Sequence, residues 1–199
     1  HIIETTPSKR QTLLFSATYP DTIGQLSARF QKNAKTISVE AVHQNQQIEQ
    51  VFFELAGHSE KPSATVSLLL HYEPRSCVIF CNTKQQCIDL RAYLRDEGFS
   101  ALALQGDMEQ RDRDQVLVQF SNGSSQILIA TDVAARGIHV DAVECVLHFD
   151  PVDEDSAYIH RSGRTARAGA SGRVISFVDP GQVADVQKMK KRLGLPQEI

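Results

Sequence analysis

Long apolar runs are missing from this sequence: nowhere do about 18 apolar residues follow one another, and no signal-peptide pattern is present. A membrane-spanning helix and an export leader are therefore not expected, and a cytoplasmic location is. Positive charge in excess is missing too. The 199 residues carry a formal net charge of −3, which argues against a protein coated in cations for nucleic acid and leaves phosphate binding to local clusters. Cysteine is scarce: Cys77, Cys81, Cys87 and Cys145 form no CxxC pair, and three of them sit in or beside apolar runs. Buried reduced thiols fit that pattern better than a zinc site or a disulfide framework. The seven histidines show no HExxH spacing, so no metal site is expected. Aromatics reach only 7% without forming a cluster, so Tyr158 and Phe149 read as core and not as base-stacking platforms. The chain begins with His1 and its first methionine is Met108, as expected of a piece of a longer polypeptide.

What is present is an ordinary globular composition, 41% hydrophobic and 23% charged, arranged in a regular alternation. Apolar runs of strand length fall at 51–55, 77–81, 101–105, 126–130, 143–149 and 173–178, separated by helical periodicity at 61–72, 84–97, 109–120, 155–161 and from Pro180 to about Leu193. A short helical turn is expected at 132–135. This pattern predicts an α/β domain over residues 50–199 with a mainly parallel sheet covered on both faces by helices. Ahead of it, 40–49 is polar, glutamine-rich and linker-like. Residues 1–39 hold two short strand patterns (11–17 and 36–39) and one helix (21–30), too little to enclose a core.

In open parallel sheets, ligands gather beyond the carboxyl ends of the strands. There the sequence places Asn82-Thr83-Lys84, Gly106-Asp107, Thr131-Asp132 and Asp150. Small and hydroxylic residues at such turns let a polyanionic backbone approach main-chain amides. Thr131 and Asp132 also suit helix capping. Arg113 suits either phosphate or pairing with Glu109, Asp112 or Asp114 on a wet helix. Three further guanidiniums, Arg161, Arg164 and Arg167, crowd into seven residues around Gly163. If helical, they recur every third residue, with Arg164 and Arg167 close on one face; they read either as a solvated basic helix or as planar donors for phosphate.

Several of these runs together resemble the DEAD-box RNA helicases, in particular their second RecA-like domain, over about 11–178. Ser16-Ala17-Thr18 resembles the motif that ends the first RecA-like domain; Val78-Ile79-Phe80-Cys81-Asn82-Thr83, the strand-and-loop motif of the second. Gln105-Gly106-Asp107 with Gln110-Arg111-Asp112-Arg113 resembles HGD and QxxR, residues 130–138 resemble ATDVAARGI, and His160 to Arg167 resembles HRxGRxxR. Within the family, the NTK, EQRDRDQ and HRSGRTARAG runs are most similar to the bacterial DbpA group, which acts on ribosomal RNA during large-subunit assembly.

The resemblance implies a RecA-like sheet and a two-domain motor that binds ATP and Mg2+ between its halves and grips one RNA strand. It implies that Arg164 and Arg167 are arginine fingers, that Gly137 and His139 lie at the nucleotide, and that Thr83, Gly106, Arg113 and Thr131 hold RNA phosphates. His160 would couple the cleft to Ser16 and Thr18, residues 1–39 being the end of the first domain. His139 departs from the family's usual aspartate, which predicts altered ribose contact, and Gln105 from its usual histidine. No GxxxxGK[ST] loop and no Asp-Glu-Ala-Asp occurs in the chain, so the missing first domain is expected to supply most ATP and Mg2+ ligands, and this piece alone is expected to be inactive. The apolar segment 11–17, lacking its sheet, is a candidate for non-native self-association. A DNA-translocating motor and a non-catalytic docking module of the same fold are the alternative readings.

Overall fold

The structure, a computed structural model, describes residues 5–7, 9–15, 21–37, 48–135, 143–152, 154–166 and 170–196. The chain divides into two compact units, residues 1–43 and 44–199. In the first, helix α1 (Asp21–Phe30) forms where its periodicity places it. Gln31 ties its end, donating to the Thr12 carbonyl at 3.0 Å and accepting from Ser27 Oγ at 2.6 Å. The two strands expected in this unit are not found: residues 11–15, Thr36 and Ile37 are not in a strand, and 16–17 and 38–39 lie outside the described residues. A strand needs a neighbouring edge for its N–H and C=O groups, and the described residues of this unit include no strand that offers one. Leu13, Phe15 and Ile37 are accordingly 66%, 87% and 76% exposed.

The second unit is built on β1 (Ile48–Glu54), β2 (Cys77–Phe80), β3 (Ala101–Leu104), β4 (Ile127–Ala130), β5 (Cys145–His148) and β6 (Gly172–Val178). All six run parallel in the order β1-β6-β5-β2-β4-β3. Between and after them lie α2 (Lys61–Tyr72), α3 (Lys84–Asp96), α4 (Gln110–Ser121), α5 (Asp132–Ala135), α6 (Asp155–Ser162) and α7 (Val183–Leu193). The expected parallel α/β architecture is therefore present. All six strands differ from the apolar pattern by at least one residue, two of them by more. β1 starts at Ile48, ahead of its apolar run, because β6 offers partners from Gly172 onward. The strand expected at 143–149 shrinks to Cys145–His148, with Val143 left in an isolated parallel bridge to Thr165.

Every residue of β2, β4 and β5 is buried. Successive side chains alternate between the two faces. Cys77, Ile79, Ile127, Ile129 and Leu147 pack with Leu69 of α2 and Cys87, Leu90 and Leu94 of α3. Val78, Phe80, Leu128, Ala130 and Val146 pack with Phe120 of α4, Tyr158 of α6, and Val186 and Met189 of α7. Each fully buried Ile, Leu or Phe contributes about 1.5–3 kcal/mol, which explains why continuous apolar strands need helices on both sides. The four cysteines are free and buried inside this core. Helix α3 closes with Gly98 just beyond it at a φ of 89°, a left-handed turn that glycine adopts without steric strain.

Candidate nucleotide- and nucleic-acid-facing rim

Parallel register puts the carboxyl ends of neighbouring strands side by side: Phe80 pairs with Ala130 and with His148, and Ala130 with Leu104. The loops that follow β2, β4 and β3, carrying Thr83, Thr131 and Gly106, are therefore adjacent on one rim of the sheet. Side chains cross-link them. Lys84 and Asp107 form a close ion pair between the β2 and β3 loops, holding the Asp107 carboxyl below its ordinary range. Gly106 faces α5 closely enough that a Cβ there would stand 3.9 Å from Val133 Cγ1.

Thr83 caps α3 in a reciprocal box: its Oγ1 accepts the Gln86 N–H at 3.2 Å, and Gln86 Oε1 accepts the Thr83 N–H at 3.0 Å. The cap aims the N-terminal, positive end of the α3 dipole at the rim. Thr131 is 8% exposed, and its Oγ1 accepts the Ala134 N–H at 3.3 Å, so the capping role foreseen for it is filled. Arg113 bonds to neither Glu109, Asp112 nor Asp114; its guanidinium donates to the Ala134 carbonyl, joining α4 to α5.

The arginine run departs from its helical reading. Helix α6 ends at Ser162 with Gly163 as its cap, so Arg164 stands on the turn beyond the helix, and Ala166 has a φ of 51°. Arg161 is no surface cation. It is 4% exposed, its Nε and Nη2 donate to Asp132 at 2.7 and 2.6 Å, and its guanidinium lies 5.2 Å from the Phe80 ring centroid. Nη2 also reaches Asn82 Oδ1 at 3.5 Å. This fork locks α6 against the loops after β4 and β2.

Arg164 is held by its backbone: its carbonyl accepts the Val143 N–H at 3.0 Å, and the next residue, Thr165, donates its hydroxyl to the Val143 carbonyl. Gly172, at the start of β6, lies against this turn so closely that a Cβ would meet Thr165 Oγ1 at 2.0 Å. His160 is exposed on α6. Ser16, Thr18, Gly137, His139 and Arg167 lie outside the described residues.

One polar group at this rim escaped the sequence reading. Lys61, the first residue of α2, is 1% exposed, with Nζ 3.2 Å from Asp150 Oδ1 and 2.9 Å from Asp179 Oδ2. Asp150 Oδ2 accepts the Asn82 N–H at 3.0 Å. Nothing in its sequence setting, a lysine before a proline at a helix start, separates a buried lysine from a wet one.

Known proteins share this fold. The helicase conserved C-terminal domain family matches residues 60–169. The E. coli DEAD-box protein SrmB, solved in complex with regulator of ribonuclease activity A, superposes with a TM-score of 0.71 at 32% identity, over 75% of this chain and 88% of that one. The chain belongs to the DEAD-box helicases, as their C-terminal RecA-like domain. Yeast Dbp5 bound to RNA and ADP BeF3 matches 97% of this helicase domain and 51% of its own chain, at a TM-score of 0.82 and 31% identity. In sequence, the domain is 47% identical to the ATP-dependent RNA helicase DbpA of Escherichia coli strain K12, over 90% of this chain and 39% of DbpA. It is 42% identical to the ATP-dependent RNA helicase DBP2 of Saccharomyces cerevisiae, over 88% and 33%. The helicase domain thus spans well under half the length of these curated relatives. No helix among its described residues is long and apolar enough to cross a membrane.

Proposed function

We propose that the full-length protein carrying this chain is an ATP-dependent RNA helicase that separates short duplexes during ribosome assembly. Residues 1–39 are then the end of its first RecA-like domain, 40–49 a linker and 50–199 the second motor domain. The observation that carries this reading is the adjacency of the Thr83, Gly106 and Thr131 loops on one rim, cross-linked by Lys84–Asp107 and Arg161–Asp132. Thr83, Gly106, Arg113 and Thr131 hold RNA phosphates there, contacts that read backbone and give little sequence preference. The resemblance of the NTK, EQRDRDQ and HRSGRTARAG runs to the DbpA group favours ribosomal RNA as the target, and the RNA-bound Dbp5 neighbour supports RNA over DNA.

Arg164 suits a nucleotide phosphate: a guanidinium offers planar donors, and the Val143 and Gly172 contacts fix the backbone that bears it. Bound ATP supplies the hydrolysable γ-phosphate; Arg164 and Arg167 offset the charge developing on it, and Gly137 and His139 meet the nucleotide. His160 couples this site to Ser16 and Thr18. Mg2+ is assigned mostly to ligands of the first RecA-like domain; among the described residues no group of three or more His, Cys, Asp or Glu could hold a metal.

In the full-length protein, Arg164→Ala and Arg167→Ala should each lower RNA-stimulated kcat for ATP by about a thousandfold with little change in RNA affinity. Unchanged kcat overturns the reading in favour of a docking module, the kind of role SrmB's complex with a regulator illustrates. Equal stimulation by DNA and RNA favours a DNA-translocating motor.

A further inference from the structure

Lys61 is an expensive residue to bury, since taking an ammonium and its partners out of water often offsets the attraction between them. Its two acids are not equivalent. Asp179 follows β6, uses Oδ2 for Lys61, and leaves Oδ1 buried without a partner among the described residues. Asp150 follows β5 and uses both oxygens: Oδ1 takes Lys61 Nζ at 3.2 Å, and Oδ2 takes the Asn82 N–H at 3.0 Å. Asn82 follows β2 and immediately precedes Thr83. Strands β6, β5 and β2 are consecutive in the sheet, so one ammonium gathers three neighbouring strand ends. Other groups facing it are the Phe149 ring, 5.8 Å from Nζ, and His58, whose Nδ1 is 3.9 Å from Asp150 Oδ1.

We propose that Lys61 is a positioning residue for RNA: it orients Asp150, which holds the Asn82 amide and thereby the start of the loop presenting Thr83 and the α3 N-terminus. This rests on the RNA-binding reading of that loop. Lys61 also neutralises acids that otherwise stand behind a polyanion-binding rim. Without it, Asp150 is free to turn from Asn82, and the loop loses its fixed backbone geometry while the ATP-facing turn at Arg164 is untouched.

The asymmetry of the two acids supplies the test, in RNA-stimulated ATPase assays of the full-length protein with a single-stranded RNA oligonucleotide. Lys61→Met should raise the KM for RNA by about tenfold, equivalent to a loss of about 1.4 kcal/mol in binding, with kcat at saturating RNA and the KM for ATP retained. Asp150→Asn should move the KM for RNA in the same direction. Asp179→Asn, which disturbs the same lysine but bonds to none of the loops bearing Thr83, Gly106 and Thr131, should lower Tm and leave the KM for RNA within about twofold. Should Lys61→Met fail to fold, the two aspartate variants decide. Equal KM shifts in both, or none in either, overturn the proposal and leave Lys61 a purely structural residue. An unaltered protein showing no RNA stimulation overturns the RNA-binding reading itself, and this proposal with it.

Discussion

His148 lies at the end of β5 with no exposed surface. Its Nδ1 meets Ser176 Oγ at 3.0 Å, its Nε2 has no partner among the described residues, and the Tyr158 ring is 5.0 Å away. Burial, reinforced by the nearby Arg161 cation, holds its pKa well below the ordinary 6.5. The folded protein therefore keeps it neutral while the unfolded chain binds a proton below pH ~6.5, so stability is full above that value and is lost as pH falls beneath it. Urea unfolding should show a slope steeper by about 1.4 kcal/mol per pH unit between pH 6 and 5 in the unaltered chain than in His148→Gln; identical slopes contradict this. The protonation state of His148 depends on burial inside the assembled sheet and on Arg161, 13 residues away in sequence, and no local pattern encodes that.

Elements were more legible than residues. Helix α2 occupies the very limits its pattern predicts, and α3 starts at Lys84, where its pattern places it. Where prediction failed, the cause was missing or added context. The segments 11–17 and 36–39 carry strand composition, but the described residues around them offer no edge. Arg161, Arg164 and Arg167 have helical spacing, but Gly163 ends α6 in their midst. The turn that results is sensitive to packing at Gly172, where a Cβ would stand 2.0 Å from Thr165 Oγ1 and 2.8 Å from the Ala166 nitrogen. Backbone on one side of that contact cannot step aside. Gly172→Ala should destabilise the domain by about 1–3 kcal/mol, read from the denaturant midpoint. Gly181→Ala, with nothing within 4 Å of its Cβ position, should change stability by less than about 0.5 kcal/mol; a Gly172→Ala variant as stable as this control refutes the close approach.

At the scale of the molecule, a parallel sheet fixes where chemistry collects. Asn82, Thr83, Gly106, Thr131 and Asp150 were placed at strand ends from the alternation of apolar runs alone, and register makes neighbours of those loops. The links that hold the loops in place, the buried Lys61–Asp150 and the half-buried Arg161–Asp132, were invisible because they join residues 89 and 29 positions apart. The central claim is that these loops form one surface that receives an RNA backbone. Amide NMR of this chain titrated with a single-stranded RNA oligonucleotide tests it most directly. Resonances of Thr83, Gly106 and Thr131 should move together, with a common apparent Kd that weakens as salt rises. Shifts confined to Ser76, Ser100, Gln126 and Glu144, at the opposite edge of the sheet, or no shifts at all, would contradict it.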